Sequence, residues 1–532
     1  MPPDNLARRR FLTTATAGLA GGALVALPST AFASEPASNV VFSVSAFGAQ
    51  GDGTALDSPA INRAIAAAAT AGGGTVYFPA GTYRCFSIHL LSNVALYLAP
   101  GSVLLASDPA EGGTGYDLPE SNQPWESFQD FGHNHWRNSL IWGENVSGVS
   151  ITGPGLIWGK GLSRGYGAPE LAAERPGVGN KAIALKNCHN VLLRDFWILH
   201  GGHFGILATG VDNLTIDNLK IDTNRDGIDI DCCRNVRVSN CSVNSPWDDA
   251  ICLKSSYALG YARATEMVTI SNCLVTGCYQ EGTLIDATFK PFAADDKAWR
   301  TGRIKFGTES NGGFKNITVS NCVFEGCHGL AIESVDGAVI EDVSITNLTM
   351  RDILGPPIFV RLGSRMRGPV GVSVGTIRRL LISNVSCQNA ASPPICSILT
   401  GIPGYSIEDV KLNDVSVLHS GGGTKSDASL QLPEKEKDYP EPTMFGTTPA
   451  HAFFLRHVKG IEMSGIRVNC TNPDARPAFA LYDVHDADFR HVRMPATQGV
   501  PSFSLNDVTN ISVFRSKPTA DTELRAAARR EL

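Results

Sequence analysis

The sequence predicts an all-β fold, a right-handed parallel β-helix with a short capping helix at its N-terminal end. Asn190, Asn213 and Asn235 each begin a similar strand, and their spacing is about that of one solenoid coil. The 54 glycines and the aromatic content of only 8% suit many tight turns and closely stacked backbone. A pattern of Asn followed by alternating aliphatic residues recurs at 213–216, 235–238, 316–319 and 510–513. Because one such coil cannot bury its apolar face alone, the coils must stack into a continuous core.

The alternation within these strands predicts one inward and one outward face. A second Asn follows in three copies, at Asn218, Asn240 and Asn321, and repeated Asn at turns can form stacked hydrogen-bond ladders. The main alternative is a β-propeller, whose blades need about twice this period. A β-sandwich would not repeat so regularly, so the pattern favours the β-helix.

The start of the predicted solenoid has its own features. Residues 58–69 are Ala-rich with Pro59 in the first turn, which favours a helix that covers the open end of the core. The glycine run 72–74 lacks the Gly-Lys-Ser/Thr ending of a phosphate loop and is interpreted as a helix stop. Two long insertions interrupt the repeat, at about 108–137 and 420–448. In a solenoid such insertions become loops on one face and often line a binding cleft.

Residues 1–33 have the organisation of an export signal. Three arginines at 8–10 precede Phe11 and Leu12, which resembles a twin-arginine signal, and an apolar stretch follows at 13–27. Ala31-Phe32-Ala33 is typical of a small-residue cleavage site. We therefore expect a twin-arginine signal peptide at 1–33, a single β-helix domain at 34–532, and a periplasmic or secreted protein that is exported folded. The alternative interpretation is a disordered basic tail.

Charge and cysteine content narrow the functional classes. The net charge is −6, the isoelectric point is about 6.1, and no basic block suggests nucleic acid. No apolar run outside the N-terminus has the length of a membrane span, so we expect no membrane association after export. The 13 cysteines include no CxxC pair and are interpreted as small core residues, although one or two bridges stay possible. We expect no cofactor and no metal, and the oligomeric state stays open.

Three acids are placed where stacked coils bring them together. Asp226 precedes Asp248 and Asp249 by about one repeat, so the three side chains are predicted to share one patch. Crowded carboxylates repel, so one tends to keep a proton while the others stay ionised. Hydrolysis of a glycosidic bond needs an acid for the leaving oxygen and a base for water. Asp226, Asp248 and Asp249 are therefore the candidate catalytic residues.

The acid pattern resembles that of the pectin-degrading glycoside hydrolases of family 28, the polygalacturonases and rhamnogalacturonan hydrolases. The resemblance extends over about 41–513. The family's Asn-Thr-Asp motif corresponds to Asn224-Arg225-Asp226, and its paired acids correspond to Asp248-Asp249. The resemblance implies an inverting hydrolase with a pectic polysaccharide or oligosaccharide as substrate. It also implies that Asp248 is the general acid and that Asp226 and Asp249 hold and deprotonate the attacking water. The acid and the base of such a site are roughly 6.5–9.5 Å apart.

Two further family motifs match in part. The Gly-His-Gly motif corresponds to Cys327-His328-Gly329, and the Arg-Ile-Lys motif corresponds to Arg361-Leu362-Gly363, without the Lys. The string Arg303-Ile304-Lys305 also occurs, but it precedes the His segment, so the family role does not carry over to it. The linkage, the sugar and the choice between endo and exo attack stay open.

A polyanionic substrate needs local positive charge, and Arg can hold a carboxylate with two hydrogen bonds. Asp229 and Asp231 alternate with isoleucines and are predicted to face outward, as helpers of the site or as a solvated strand face. The candidates for substrate binding are Arg225, Lys254, His203, His328, Arg300, Arg303, Lys305, Glu309 and Arg361.

Two other functions fit a β-helix with clustered acids. A polysaccharide lyase would use the carboxylates to hold calcium against a uronate, and a base to remove a proton. A non-catalytic carbohydrate-binding solenoid would keep its binding when Asp248 is replaced by Asn, with no turnover to lose.

Overall fold

The computed structural model describes residues 40–111, 115–164, 175–391 and 395–532, and it confirms the parallel β-helix. The predicted signal peptide at 1–33 lies outside the described residues. Helix α1 is Ser58–Thr70, and short 3-10 turns occur at Val44–Phe47, Pro109–Glu111, Glu126–Phe128, Phe131–His133, Asp427–Ser429 and Pro442–Phe445.

The first sixteen strands build the N-terminal cap and the coils up to the acids. They are β1 (Val41–Ser43), β2 (Asp52–Leu56), β3 (Gly74–Phe78), β4 (Gly81–Cys85), β5 (Ile88–His89), β6 (Val94–Leu98), β7 (Ser102–Ala106), β8 (Ile141–Glu144), β9 (Ser147–Thr152), β10 (Leu156–Trp158), β11 (Lys181–Lys186), β12 (His189–Arg194), β13 (Trp197–Leu199), β14 (Phe204–Thr209), β15 (Asp212–Asp217) and β16 (Lys220–Asp222).

The remaining strands carry the acids and the C-terminal coils. They are β17 (Asp226–Asp231), β18 (Arg234–Ser239), β19 (Ser242–Asn244), β20 (Ile251–Ser255), β21 (Thr265–Ser271), β22 (Leu274–Thr276), β23 (Ile304–Ser310), β24 (Phe314–Glu325), β25 (Leu330–Ser334), β26 (Val339–Ile353), β27 (Ile358–Leu362), β28 (Thr376–Asn389), β29 (Ser397–Thr400), β30 (Ile407–His419), β31 (Phe453–Ser464), β32 (Arg467–Cys470), β33 (Phe479–Arg490), β34 (Phe503–Phe514) and β35 (Thr522–Glu531).

Each strand pairs in parallel with its counterpart one coil later, which produces three stacks of strands. One stack, called here the site sheet, runs through β5, β8, β11, β14, β17, β20, β23, β25, β27, β29 and β31. The last strand, β35, is antiparallel to β34.

The core column of the site sheet explains how the acids reach the outside. Ile206, Ile228, Ile251 and Ile304 occupy successive rungs in register and are fully buried. Because side chains alternate along a strand, the residues next to these isoleucines point away from the core. Helix α1 packs against the same core through its buried Ile61 and Ile65, as the capping prediction requires.

The predicted Asn ladder is present at the turns. Asn235 donates to Asn213 and Asn213 donates to Asn190, at 2.5 and 2.9 Å, with all three backbones in the left-handed region. Asn adopts that conformation more readily than other side chains. The ladder thus fixes the register of successive coils, and with it the position of every outward-facing residue.

The cysteines are free thiols in the structure, and most are buried in the core, as predicted. In the described part of the chain, no helix is long and apolar enough to cross a membrane. Both predicted insertions are observed as long connections, one between β7 and β8 and the other between β30 and β31. They are called insertion 1 and insertion 2 below.

Candidate active site

Asp226, Asp248 and Asp249 lie together on the outward face of the site sheet, as predicted from the repeat. Asp226 begins β17, and the Gly227 amide donates to the Asp249 carbonyl at 3.0 Å on the next coil. One carboxylate oxygen of each acid lies within 4.8 Å of the others. Asp226 and Asp249 are 3% and 1% exposed, whereas the Asp248 side chain is 25% exposed at the mouth of the site.

The acids are closer together than the separation of roughly 6.5–9.5 Å that the family resemblance implied. The cause is the architecture. Two acids are chain neighbours and the third lies on the adjacent coil, where strands are about 4.8 Å apart. The coil spacing therefore sets the distance between these carboxylates.

Asp249 is held ionised by two buried cations. Arg303 donates to Asp249 at 2.8 Å and Lys305 lies 3.3 Å from its second oxygen. Burial acts to raise the pKa of Asp249, but Lys305 and Arg303 outweigh it and hold the pKa at about 2. Asp249 is therefore a carboxylate at any pH at which the protein would work.

Asp226 has the opposite environment. Burial first, and then the charges of Asp229 and Asp248, raise its pKa well above the ordinary range. Its Oδ1 has no hydrogen-bond partner in the described part of the chain. Of the three acids, Asp226 is thus the one whose surroundings favour the protonated form.

Asp248 is paired with Arg225. The Arg225 Nη2 and Nε both donate to Asp248 Oδ2, at 2.7 and 3.1 Å. The middle residue of the Asn-Arg-Asp motif therefore neutralises the acid that the resemblance marks as the proton donor.

The floor of the site is a second charged layer. Lys254 Nζ lies 3.3 Å from Glu309 and 3.7 Å from Asp229, and Arg367 also contacts Glu309. Burial opposes ionisation of Glu309, but Lys254, His133 and Arg367 hold its pKa well below the ordinary range. Lys254 and Glu309 are thus part of the site, as predicted.

The solvated-strand interpretation of Asp229 and Asp231 is wrong. Both are fully buried, although they point away from the core. Asp231 accepts hydrogen bonds from the Ser256 amide and hydroxyl, at 2.8 and 2.7 Å. Asp229 lies between Lys254 and His133, because insertion 1 covers this part of the sheet.

His133, which the sequence analysis missed, comes from insertion 1. Its ring is buried, its Nε2 lies 3.7 Å from Asp229, and neither ring nitrogen has a hydrogen-bond partner among the described residues. It groups with Asp226 and Asp229, and separately with Asp130 and Glu309, within 4.8 Å. These are donor atoms that a cation could use, but Lys254 already supplies positive charge there. The insertion contains two histidines, His133 and His135, and no repeat or motif in the sequence singled out either.

Insertion 2 supplies the other wall. Glu441 lies 3.6 Å from Arg303 and 3.8 Å from His328, and the Tyr439 ring lies over Lys305. Burial, aided by Arg303, lowers the pKa of His328 to about 4, so its ring is neutral. The predicted residues Arg303, Lys305 and His328 are thereby assembled in one place.

A buried carboxyl lies beneath these residues and was also missed. Burial raises the pKa of Glu333 to about 7, despite Lys305 at 3.9 Å. The sequence motif around His328 contained Glu333, but only the stacking of β25 on β23 reveals that it faces Lys305.

The remaining three candidates differ in their placement. His203 stacks on Phe204, whose register partner is Asp226, and burial lowers its pKa well below the ordinary range. Arg300 donates to the Ala293 carbonyl at 2.8 Å within its own loop. His203 therefore borders the acids, and Arg300 has a contact with its own backbone segment.

Arg361, a further substrate-binding candidate, lies apart from the three acids. Its guanidinium donates to the carbonyls of Gly401, Glu434 and Lys435, at 2.8–3.1 Å. It thus fastens insertion 2 to the sheet. The missing Lys in the partly matched motif agrees with this structural role.

Comparisons with known proteins agree with the fold. Residues 41–245 match the family model described as "Rhamnogalacturonase A/epimerase, pectate lyase-like", and residues 204–353 match "Right handed beta helix region". A "Probable polygalacturonase" of Vitis vinifera is 26% identical over 324 residues, covering 57% of this chain and 60% of that protein. An "Exo-poly-alpha-D-galacturonosidase" of Dickeya chrysanthemi is 25% identical over 256 residues, covering 40% and 41%. The chain thus spans about half the length of these curated relatives.

A solved structure, the Yersinia enterocolitica family 28 exopolygalacturonase, superimposes with a TM-score of 0.62 at 18% identity, covering 90% of this chain and 79% of that one. At this identity the likeness concerns the fold.

Proposed function

We propose that the chain is a pectin-degrading glycoside hydrolase of the family 28 type, and that it hydrolyses glycosidic bonds of a pectic polysaccharide or its oligosaccharides. The observation that carries the proposal is the triad of Asp226, Asp248 and Asp249 on two adjacent coils. One of them keeps a proton and another stays ionised, which is the division that glycoside hydrolysis requires.

We assign the roles from charge and exposure. Asp249, ionised beside Arg303 and Lys305, holds the attacking water, and the proton of that water passes to Asp226. Asp248, the most exposed of the three, protonates the leaving oxygen. The cations around the acids favour a substrate that carries carboxylates.

The stereochemical outcome is the sharpest test of this assignment. The family resemblance implies inversion, whereas carboxylates as close as about 5–5.5 Å are usual in retaining enzymes. Proton NMR of the first anomer released from trigalacturonate distinguishes the two, and we expect the inverted anomer. A retained first product would overturn the assignment of a base-activated water.

The two insertions also suggest how the substrate enters. Arg367 contacts Asp130 of insertion 1 at 3.0 Å, and Glu441 of insertion 2 reaches Arg303. Both insertions thus make contacts beside the acids, and on this basis we propose that the site accepts a chain end. Exo attack releases reducing sugar with little loss of viscosity; rapid loss of viscosity of homogalacturonan would contradict it.

A direct assay separates hydrolysis from the alternatives. Homogalacturonan and rhamnogalacturonan are incubated separately, and the products are identified by size and anomeric form. An unsaturated product with ultraviolet absorbance, together with loss of activity in chelator, would identify a lyase. Binding without turnover, unchanged in Asp248→Asn, would identify a non-catalytic solenoid.

We further propose that residues 1–33 direct twin-arginine export to the periplasm or the medium. The twin-arginine pattern at 8–10 supports this proposal. Replacing these arginines by Lys, in the full chain, is expected to leave the protein in the cytoplasm of a bacterial host. Unchanged export would contradict it.

A further inference from the structure

Arg225 stands where the family motif has Thr, and it occupies the mouth of the site. Its side chain is 13% exposed, and the Asp248 side chain to which it donates is 25% exposed. The Arg225 Nε and Nη2 donate to the same oxygen, Asp248 Oδ2. The second oxygen, Oδ1, accepts from the Asp249 amide at 3.1 Å.

This pairing conflicts with the role of Asp248 as proton donor. An Arg partner favours the ionised form of a carboxyl group, yet a general acid must hold a proton when the substrate arrives. The acid whose surroundings favour the protonated form is instead Asp226, which is buried, faces the charges of Asp229 and Asp248, and has an oxygen within 4.8 Å of one of Asp248. In the switch described next, the proton of the resting site is therefore assigned to Asp226.

We propose that Arg225 is a switch operated by the substrate: the carboxylate of a uronic acid residue takes Arg225 from Asp248, and Asp248 then receives the proton of Asp226. The inference rests on the proposed hydrolase function. Replacing the Asp248 carboxylate by a substrate carboxylate on Arg225 changes the free energy little, because the hydrogen bonds lost and gained are of the same kind. Once Arg225 leaves, Asp248 faces the fixed negative charge of Asp249 and becomes the better proton acceptor.

The proton balance of this cycle closes without an outside donor. Asp226 loses its proton and Asp248 gains it. Asp248 then gives the proton to the glycosidic oxygen as the bond from carbon 1 to that oxygen breaks. Water adds to carbon 1 and its proton passes to Asp226, while Asp249 stays ionised throughout. When the products leave, the Asp248 carboxylate pairs with Arg225 again, which is the resting arrangement.

The consequence is a requirement for a free carboxylate on the sugar beside Asp248. A neutral sugar or a methyl ester cannot accept two hydrogen bonds as an anion, so it leaves Arg225 on Asp248. Such a substrate loses kcat and not only affinity, since the missing event is the delivery of the proton.

The experiment compares trigalacturonate with its fully methyl-esterified form. For the wild-type protein we expect kcat on the ester to be lower by about 100-fold or more. Arg225→Met leaves Asp248 without this arginine whichever substrate is bound, so kcat on the ester is expected to rise towards that on the acid, and the acid-to-ester ratio falls to within about 3-fold. Arg263→Met is the matched control, because Arg263 is a comparably buried arginine paired with Asp212 outside the site. It should keep the wild-type ratio.

Two results would overturn the switch: a wild-type kcat ratio in Arg225→Met, or a change confined to KM. If Arg225→Met melts far below the wild type, Arg225→Lys, which keeps the charge with a single donor group, must give an intermediate ratio. If the wild-type protein cleaves no uronan, the proposed hydrolysis fails. The exchange is then judged by carboxyl carbon NMR: galacturonate must shift the Asp248 signal, which Asp248→Asn removes, and galactose must leave it unchanged.

Discussion

One outward-facing column of side chains on the site sheet lies in a charged cluster in one region and is apolar in another. On β17, β20 and β23 its outward positions are Asp229, Cys252 and Lys305, amid the charged cluster. Four coils further on, the same column holds Phe359, Ile398 and Phe454, which form an apolar cluster with Phe445 of insertion 2. The backbone is the same in both regions, so the side chains alone decide whether the sheet carries chemistry or anchors a loop.

The apolar region has a functional consequence for the charged one. Arg361 and Arg456 donate to backbone carbonyls of residues 432–435, and so hold the base of insertion 2. The tip of the insertion then lies over Lys305 and Arg303 through Tyr439 and Glu441. One half of the sheet thus positions a wall for the other half.

The largest effect on kcat is expected at Asp249, and a second buried, ionised acid, Asp474, serves as its comparison. Asp249 and Asp474 each have a pKa of about 2 and each pair with Arg, but Asp474 lies in the C-terminal region beside Arg476. Asp249→Asn should lower kcat on trigalacturonate by about 10³–10⁴-fold. Asp474→Asn should leave kcat intact and lower the free energy of unfolding by about 3 kcal/mol, since the buried Arg476 loses its carboxylate partner. A comparable kcat loss in both variants would remove the distinction between the regions.

The second prediction concerns the apolar cluster beneath insertion 2. Phe454→Ala removes a fully buried ring from the cluster under insertion 2, and we expect a loss of about 3–4 kcal/mol in urea unfolding. Phe454→Leu, which keeps most of the volume, should cost about 1 kcal/mol. Equal losses for the two variants would show that packing volume is not what holds the loop.

The third test concerns pH. Burial raises the pKa of Glu333 to about 7, so the folded protein binds this proton more tightly than the unfolded chain. Its contribution to stability is greatest below the ordinary Glu value and declines as pH rises to about 7. Glu333→Gln should flatten that decline by roughly 1–3 kcal/mol in chemical unfolding at pH 4.5 and 7.5. If the unfolding free energy of Glu333→Gln has the same pH dependence as that of the wild type, the proton is not taken up by Glu333.

The smallest effect is expected at the tip of insertion 2. Glu441 is half-exposed, so its ion pair with Arg303 contributes about 0.2–1 kcal/mol. Glu441→Gln should change KM by a few fold and increase the share of larger products from homogalacturonan, with kcat nearly kept. A product pattern identical to that of the wild type would argue against a wall at this position.

Part of the site could be predicted from the sequence because its residues lie on strands that repeat at a fixed spacing. The spacing of Asp226 and Asp249 matched the coil period, so the stacked ladder of Asn213 and Asn235 predicted their meeting. Lys254 and Lys305 were named from the sequence only for their charge, and the structure places them on strands in register with β17. His133 and Glu441 did not, because they come from insertions whose path has no period.

The sequence by itself determined the coil, its core column of isoleucines and the gathering of the acids, because these depend on a local pattern repeated at a fixed spacing. Only the tertiary structure decided which acid keeps the proton and which cation faces it. Arg225, Arg303 and Arg361 are the same residue type in the sequence. In the structure Arg225 pairs with Asp248, Arg303 pairs with Asp249, and Arg361 holds insertion 2. The physical reason is that pKa and pairing depend on burial and on distances of a few ångströms between segments far apart in the chain.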